Sequence, residues 1–174
     1  SVDDMVNAIV QEAQMRIGYI NEPIATIYFG GGTPSLLSEV HLQHILQTLS
    51  QLYNILPGAE VTLESNPDDI TAEKLASWKQ AGINRLSIGV QSFIQEDLQW
   101  MNRAHTAAQA IRCITLAQEE GFNNITIDLI YGTPTLTDKS WEENISKALA
   151  LQVPHMSCYA LTVEPKTALH KKIE

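Results

Sequence analysis

The chain has 174 residues, 44% of them hydrophobic, and a formal net charge of −9 from 20 acidic and 11 basic residues. That size and composition suit one globular domain with a real core. The acidic balance argues against nucleic acid or anionic lipid as partners, and no apolar stretch reaches the ~18 residues of a membrane helix. The start, Ser1-Val2-Asp3-Asp4, has no signal-peptide pattern, and the two cysteines lack cluster spacing. A reducing, cytoplasmic location is therefore expected.

Apolar residues at Met5, Ala8, Ile9, Met15 and Ile17 predict an amphipathic helix from Asp4 to Ile17. The β-branched and aromatic run Ala25–Phe29 predicts a strand. Ser38 is placed to cap a helix with an apolar face of Val40, Leu42, Ile45, Leu46, Leu49 and Leu52, and Pro57-Gly58 closes that unit. Glu60–Leu63 predicts a second strand. Thr71 caps a helix over Ala72–Ala81, which Gly82 ends. Arg85–Val90 predicts a third strand. Thr106 to Gln109 forms a capping box that opens a helix from Ala107 to Glu120, with Gly121 as its stop. A strand over Asn124–Tyr131, a helix over Lys139–Leu151, a fifth strand over His155–Leu161 and a polar tail complete the chain. Cys113, in a helical pattern, and Cys158, in a strand pattern, read as small core residues.

Strands separated by helical crossovers run parallel, so the fold class is α/β: a doubly wound sheet or an arc of a (β/α) barrel. No repeat or linker divides residues 1–174, which predicts a single domain.

The strand exits carry the chemistry. The first gives Gly30-Gly31-Gly32-Thr33-Pro34-Ser35, a stretch that exposes bare backbone to a ligand or merely makes a turn. It has neither the Lys-Ser/Thr ending of a P-loop nor the pattern G-x-G-x-x-G. The others give Glu64-Ser65-Asn66-Pro67, Gly89-Val90-Gln91-Ser92-Phe93, Asp128 followed by Tyr131-Gly132-Thr133-Pro134, and Tyr159 to Pro165. All five are polar and marked by glycine or proline, while the entry loops look like simple turns. Function gathered on the C-terminal rim is the barrel arrangement. Glu64 can accept hydrogen bonds from ribose hydroxyls or an amine, or pair with a basic residue. Gln91 offers a donor and an acceptor. Asp128, costly in an apolar strand unless satisfied, either pairs with Arg103 or Arg85 or binds ligand hydroxyls. Arg103 offers planar donors to a carboxylate. His41 and His44 lack a third metal ligand and read as solvated; His105 and His155 have no assigned role.

Taken together, in order and along nearly the whole chain, these motifs resemble the radical S-adenosylmethionine (SAM) family. Within it they resemble the oxygen-independent coproporphyrinogen III oxidase group, and most closely its haem-chaperone-like branch. The resemblance implies a six-stranded partial (β/α) barrel and a [4Fe–4S] cluster on a C-x3-C-x2-C segment. It also implies SAM, cleaved reductively to a 5′-deoxyadenosyl radical. Gly31, Gly32 and Thr33 would hold the methionyl part of SAM, and Glu64, Gln91, Arg103, Asp128 and Ala160 match the remaining SAM positions. The implied activity is oxidative decarboxylation of coproporphyrinogen III propionates. The alternatives are a haem chaperone that binds and transfers haem, and an unrelated barrel enzyme acting on sugars or phosphates. The expected partner is thus a tetrapyrrole.

No C-x3-C-x2-C occurs in the chain. On this resemblance the segment would precede Ser1 with the first strand, and a further domain would follow Glu174. The chain therefore reads as an internal fragment with five of six strands. Alone it is expected to lack the cluster and its radical chemistry. Its unpaired edge at Ala25–Phe29 invites dimers.

Overall fold

The computed structural model describes residues 1–173. Its five strands are β1 (Ile24–Phe29), β2 (Ile55–Ser65), β3 (Arg85–Gln91), β4 (Ile125–Tyr131) and β5 (His155–Ala160). They form one sheet in the order β1-β2-β3-β4-β5, and every neighbouring pair is parallel. The sheet curls into a half-barrel, the arc expected from the sequence resemblance. The helices are α1 (Val2–Met15), α2 (Glu39–Leu52), α3 (Ala72–Ala81), α4 (Gln95–Trp100), α5 (Ala107–Glu119), α6 (Asp138–Ala150) and α7 (Ala168–Ile173).

Period-two alternation sets the two faces of the sheet. Val61, Leu63, Leu86, Ile88, Ile125, Ile127 and Leu129 pack with Leu42, Leu75, Trp78, Ile114 and Phe122 of the helical layer, and all are buried. Burying each such side chain stabilises the fold by roughly 1.5–3 kcal/mol. The intervening residues turn to the concave face and are polar. There the Arg85 guanidinium donates to Glu60, Thr62 and Thr126, which closes a ladder low in the barrel.

The caps act as the sequence predicts. Ser38 Oγ accepts from the His41 N–H, Thr71 Oγ1 from Lys74 and Thr106 Oγ1 from Gln109.

Several expectations need correction. Strand β2 begins at Ile55, ahead of Pro57-Gly58, because Ile55 pairs with Ile24 across a register shift. α4 and the terminal α7 were not anticipated. α4 spans one and a half turns, and no side chain caps it. Val40 is 72% exposed, since it lies off the Leu42–Ile45 stripe. His41 is half-buried, with Nε2 2.8 Å from Asp3 of α1. Cys113 is buried, but Cys158 is exposed on β5, an edge strand of the sheet. Among the described residues, Asp128 makes no ion pair with Arg85 or Arg103.

Candidate functional site

The strand exits meet in a polar pocket of about 250 Å³ at the C-terminal rim. Gly32, Thr33, Glu64, Gln91, Arg103 and Asp128 all line it, joined by Pro34, Ser65, Asn66, Ser87 and Gly89. Residues from four strand exits and from the loop before α5 thus converge on a single volume.

The glycine turn is held by the neighbouring strand. Glu64 Oε2 accepts the Gly31 N–H at 3.2 Å, and Oε1 accepts the Tyr28 hydroxyl at 2.8 Å. Gly31 has φ +96°, where an L side chain is strained. Gly30 is needed for a different reason. A Cβ there would lie 2.7 Å from the Tyr28 ring and 2.9 Å from the Glu64 carboxyl carbon. Tyr28, missed by sequence reasoning, therefore helps aim Glu64. Its hydroxyl pKa is raised, by burial first and then by the bond to Glu64.

Across the pocket, Asp128 pairs in register with Ser157 of β5, and burial followed by the nearby Glu64 charge raises its pKa. Gln91 sits at φ +65°, where the β3–β4 register breaks. Such strain at a rim position often marks a functional turn. The Arg103 guanidinium donates to Asn66 Oδ1 at 3.0 Å. Ser65 Oγ is buried without a partner. Asn66 and Ser65 follow Glu64 directly, and that adjacency was the available signal for both. Of the expected SAM positions, Gly31 touches the site through Glu64. Ala160 ends β5 beside Tyr131 and is not among the residues lining the pocket.

The exits are cross-braced. Ser35 Oγ donates to Asp69 at 2.7 Å, which ties the first exit to the second. Asp97, only 1% exposed, accepts from Ser92, Thr133 and Thr135 and so joins the third exit to the fourth. Asn144 of α6 completes this network by accepting the Phe93 N–H at 2.6 Å.

Two carboxylates and one guanidinium face the pocket. SAM carries two cationic centres, its sulfonium and α-ammonium, and one carboxylate, so the donor set fits it. Among the described residues there is no comparable fit for an iron–sulfur cluster. Cys113 is buried in α5, where burial pushes its thiol pKa up to about 12. Among the described residues, no group of three or more His, Cys, Asp or Glu could hold a metal ion.

A parallel half-barrel with a polar pocket on its C-terminal rim is a (β/α)-barrel type of domain. The Radical SAM superfamily profile matches residues 4–148, and the chain belongs to that superfamily. It is 39% identical over 177 residues to the heme chaperone HemW of Bacillus subtilis (strain 168), covering 99% of this chain and 46% of that protein. It is 37% identical over 169 residues to HemW of Escherichia coli (strain K12), covering 95% and 44%. Among solved structures it resembles the coproporphyrinogen III oxidase HemN of Escherichia coli, a radical SAM enzyme. The TM-score is 0.86 at 27% identity, covering 98% of this chain and 39% of HemN. The chain thus spans just under half the length of the curated relatives it matches. Among the described residues, no helix is long and apolar enough to cross a membrane.

Proposed function

We propose that this chain is the SAM-binding half-barrel of a haem-handling radical SAM protein, with the haem chaperone as the leading reading. The observation that carries SAM binding is the convergence of Gly32, Thr33, Glu64, Gln91, Arg103 and Asp128 on one pocket. In this reading Arg103 takes the α-carboxylate, Glu64 faces the cationic end, and Asp128 and Gln91 face the nucleoside. Glu64 retains lone pairs after accepting from Tyr28 and Gly31, so it can accept from the ligand as well. When bound, SAM supplies a sulfonium whose C–S bond is the reactive one. Ala160 is assigned only a backbone role at the margin of the site. Relatives named heme chaperones favour the chaperone over the oxidase expected first, and the likeness to HemN keeps the oxidase as the second reading.

The test uses the complete protein with its reconstituted cluster. Labelled SAM should bind, and Glu64→Gln and Arg103→Ala should each weaken it at least tenfold. Haem titration should give a bound absorbance band. Anaerobic incubation with coproporphyrinogen III, SAM and a reductant should give no decarboxylation; turnover there would establish the oxidase reading instead.

A further inference from the structure

His105 takes no part in the site described above, yet it is 2% exposed, a rare degree of burial for a histidine in an irregular segment. Its Nε2 lies 3.0 Å from the Val90 carbonyl oxygen. A carbonyl only accepts, so the ring proton sits on Nε2 and Nδ1 carries the lone pair. Nδ1 has no hydrogen-bond partner, and Asp68 Oδ1 is 3.8 Å away. Burial lowers the ring's pKa, in keeping with a neutral imidazole.

Arg103 stands two residues earlier, in the stretch that joins α4 to α5. Asn102 there has φ +55°, and Met101, Asn102, Arg103 and Ala104 are all at least partly exposed. Beyond the turn bonds from the Met101 N–H to Asp97 and from the Asn102 N–H to Gln99, two tethers hold this stretch. The Arg103 N–H donates to the Leu98 carbonyl at 2.9 Å, and His105 donates to Val90. The second tether reaches the residue just before the strained Gln91, so the imidazole joins the Arg103 loop to the β3 exit. Arg103 itself borders the rim pocket on one side and a second hollow of about 240 Å³, over His105 and Asp68, on the other. It also lines a third hollow beside Ile130 and Leu161, so open space adjoins the side chain in several directions and packing alone holds the guanidinium weakly. Its backbone anchor and its bond to Asn66 fix it.

We propose that His105 is a positioning residue: through its bond to Val90 it sets the loop that aims Arg103 at the carboxylate of the bound ligand. This rests on the reading that Arg103 takes the carboxylate of SAM.

The experiment compares two ligands in the complete, cluster-reconstituted protein by equilibrium competition. These are SAM and methylthioadenosine, which lacks the amino-acid end. His105→Leu should weaken SAM about tenfold, the loss of one buried hydrogen bond, and leave methylthioadenosine within twofold. His105→Gln, whose amide reaches the position of Nε2, should restore SAM binding to within threefold. Adding His105→Leu to Arg103→Ala should cost nothing more. Equal loss for both ligands, or no loss of SAM binding, overturns the proposal. If Arg103→Ala weakens SAM and His105→Leu does not, the positioning role alone fails. If Arg103→Ala has no effect, the reading of Arg103 fails and the positioning role with it. Should His105→Leu not fold, His105→Asn, whose amide stops short of Val90, replaces it against His105→Gln.

Discussion

Gly30→Ala separates the site from the fold. Gly30 lacks the positive φ of Gly31, so its backbone accepts an alanine. The added methyl, however, would sit 2.7 Å from Tyr28 Cε1, 2.9 Å from Glu64 Cδ and 3.0 Å from Glu64 Oε1. Both side chains must withdraw by at least about half an ångström to reach ordinary contact distance. Both can do so, because each lies at the partly exposed rim. The withdrawal breaks the 2.8 Å bond from Tyr28 and the 3.2 Å bond from Gly31 to the carboxylate. At about 0.5–1.5 kcal/mol for each bond, the aim of Glu64 loses roughly 1–3 kcal/mol, or about 5- to 150-fold in SAM affinity. Folding stability should fall by less than binding does, by no more than ~2 kcal/mol, because the lower entropy of the unfolded alanine chain offsets about 0.4–1 kcal/mol of the lost bonds. Isothermal titration with SAM and thermal unfolding on the same samples measure the two effects. Gly18→Ala, with nothing within 4 Å of its added methyl, is the control: it should leave SAM affinity unchanged and raise stability by about 0.4–1 kcal/mol. SAM affinity within twofold of wild type for Gly30→Ala, or a fall in stability as large as the fall in binding energy, would refute the reasoning.

Asp128→Asn should weaken SAM yet raise the melting temperature of the ligand-free protein at pH 7, a gain in the ~0.5–2 kcal/mol range typical of relieving a strained site. The sign follows from its raised pKa. That shift favours folding fully below the unfolded value of about 3.9, and its contribution is lost as pH rises through the folded pKa. The gain should therefore vanish near pH 4, and a lower melting temperature at pH 7 would contradict the assignment. A thiol reagent at pH 8 should modify Cys158 first and Cys113 only after denaturation, given their exposures and the raised Cys113 pKa. Two equal rates in the native chain would oppose the described burial. Asn144→Ala should cost about 1–3 kcal/mol in urea unfolding, since it strands the Phe93 N–H and part of the Ser92–Asp97 network. A change below ~0.5 kcal/mol would mean that water replaces the amide.

The strands were legible where β-branched runs end in glycine or proline, as at Phe29-Gly30 and Tyr131-Gly132. Strand β2 was read too short because Pro57-Gly58 looks like a stop, and only pairing with β1 carries the strand past it. The site was legible because Glu64, Gln91 and Asp128 all sit at strand exits, which topology places on one rim. Three features were not. The Tyr28–Glu64 bond joins residues 36 apart in sequence. Nothing in the sequence singles out Asp97, and only the Thr133–Thr135 loop, folding over it, makes it a buried hub. His105 looks like one histidine among five, and nothing local distinguishes it from His44, which is exposed.

Strand order and chain order coincide across the whole sheet, and this governs how the protein can come into being. Each new strand docks on the edge left by the one before it, and no strand pairing reaches further along the chain than Ile88 to Ile127. Growth from a ribosome can therefore proceed by accretion, with short loops to close at every stage. The rim pocket obeys a different schedule. It draws on residues from Gly32 to Asp128, so it has no partial form worth binding until β4 is in place. The scaffold grows gradually, and the site arrives late and all at once.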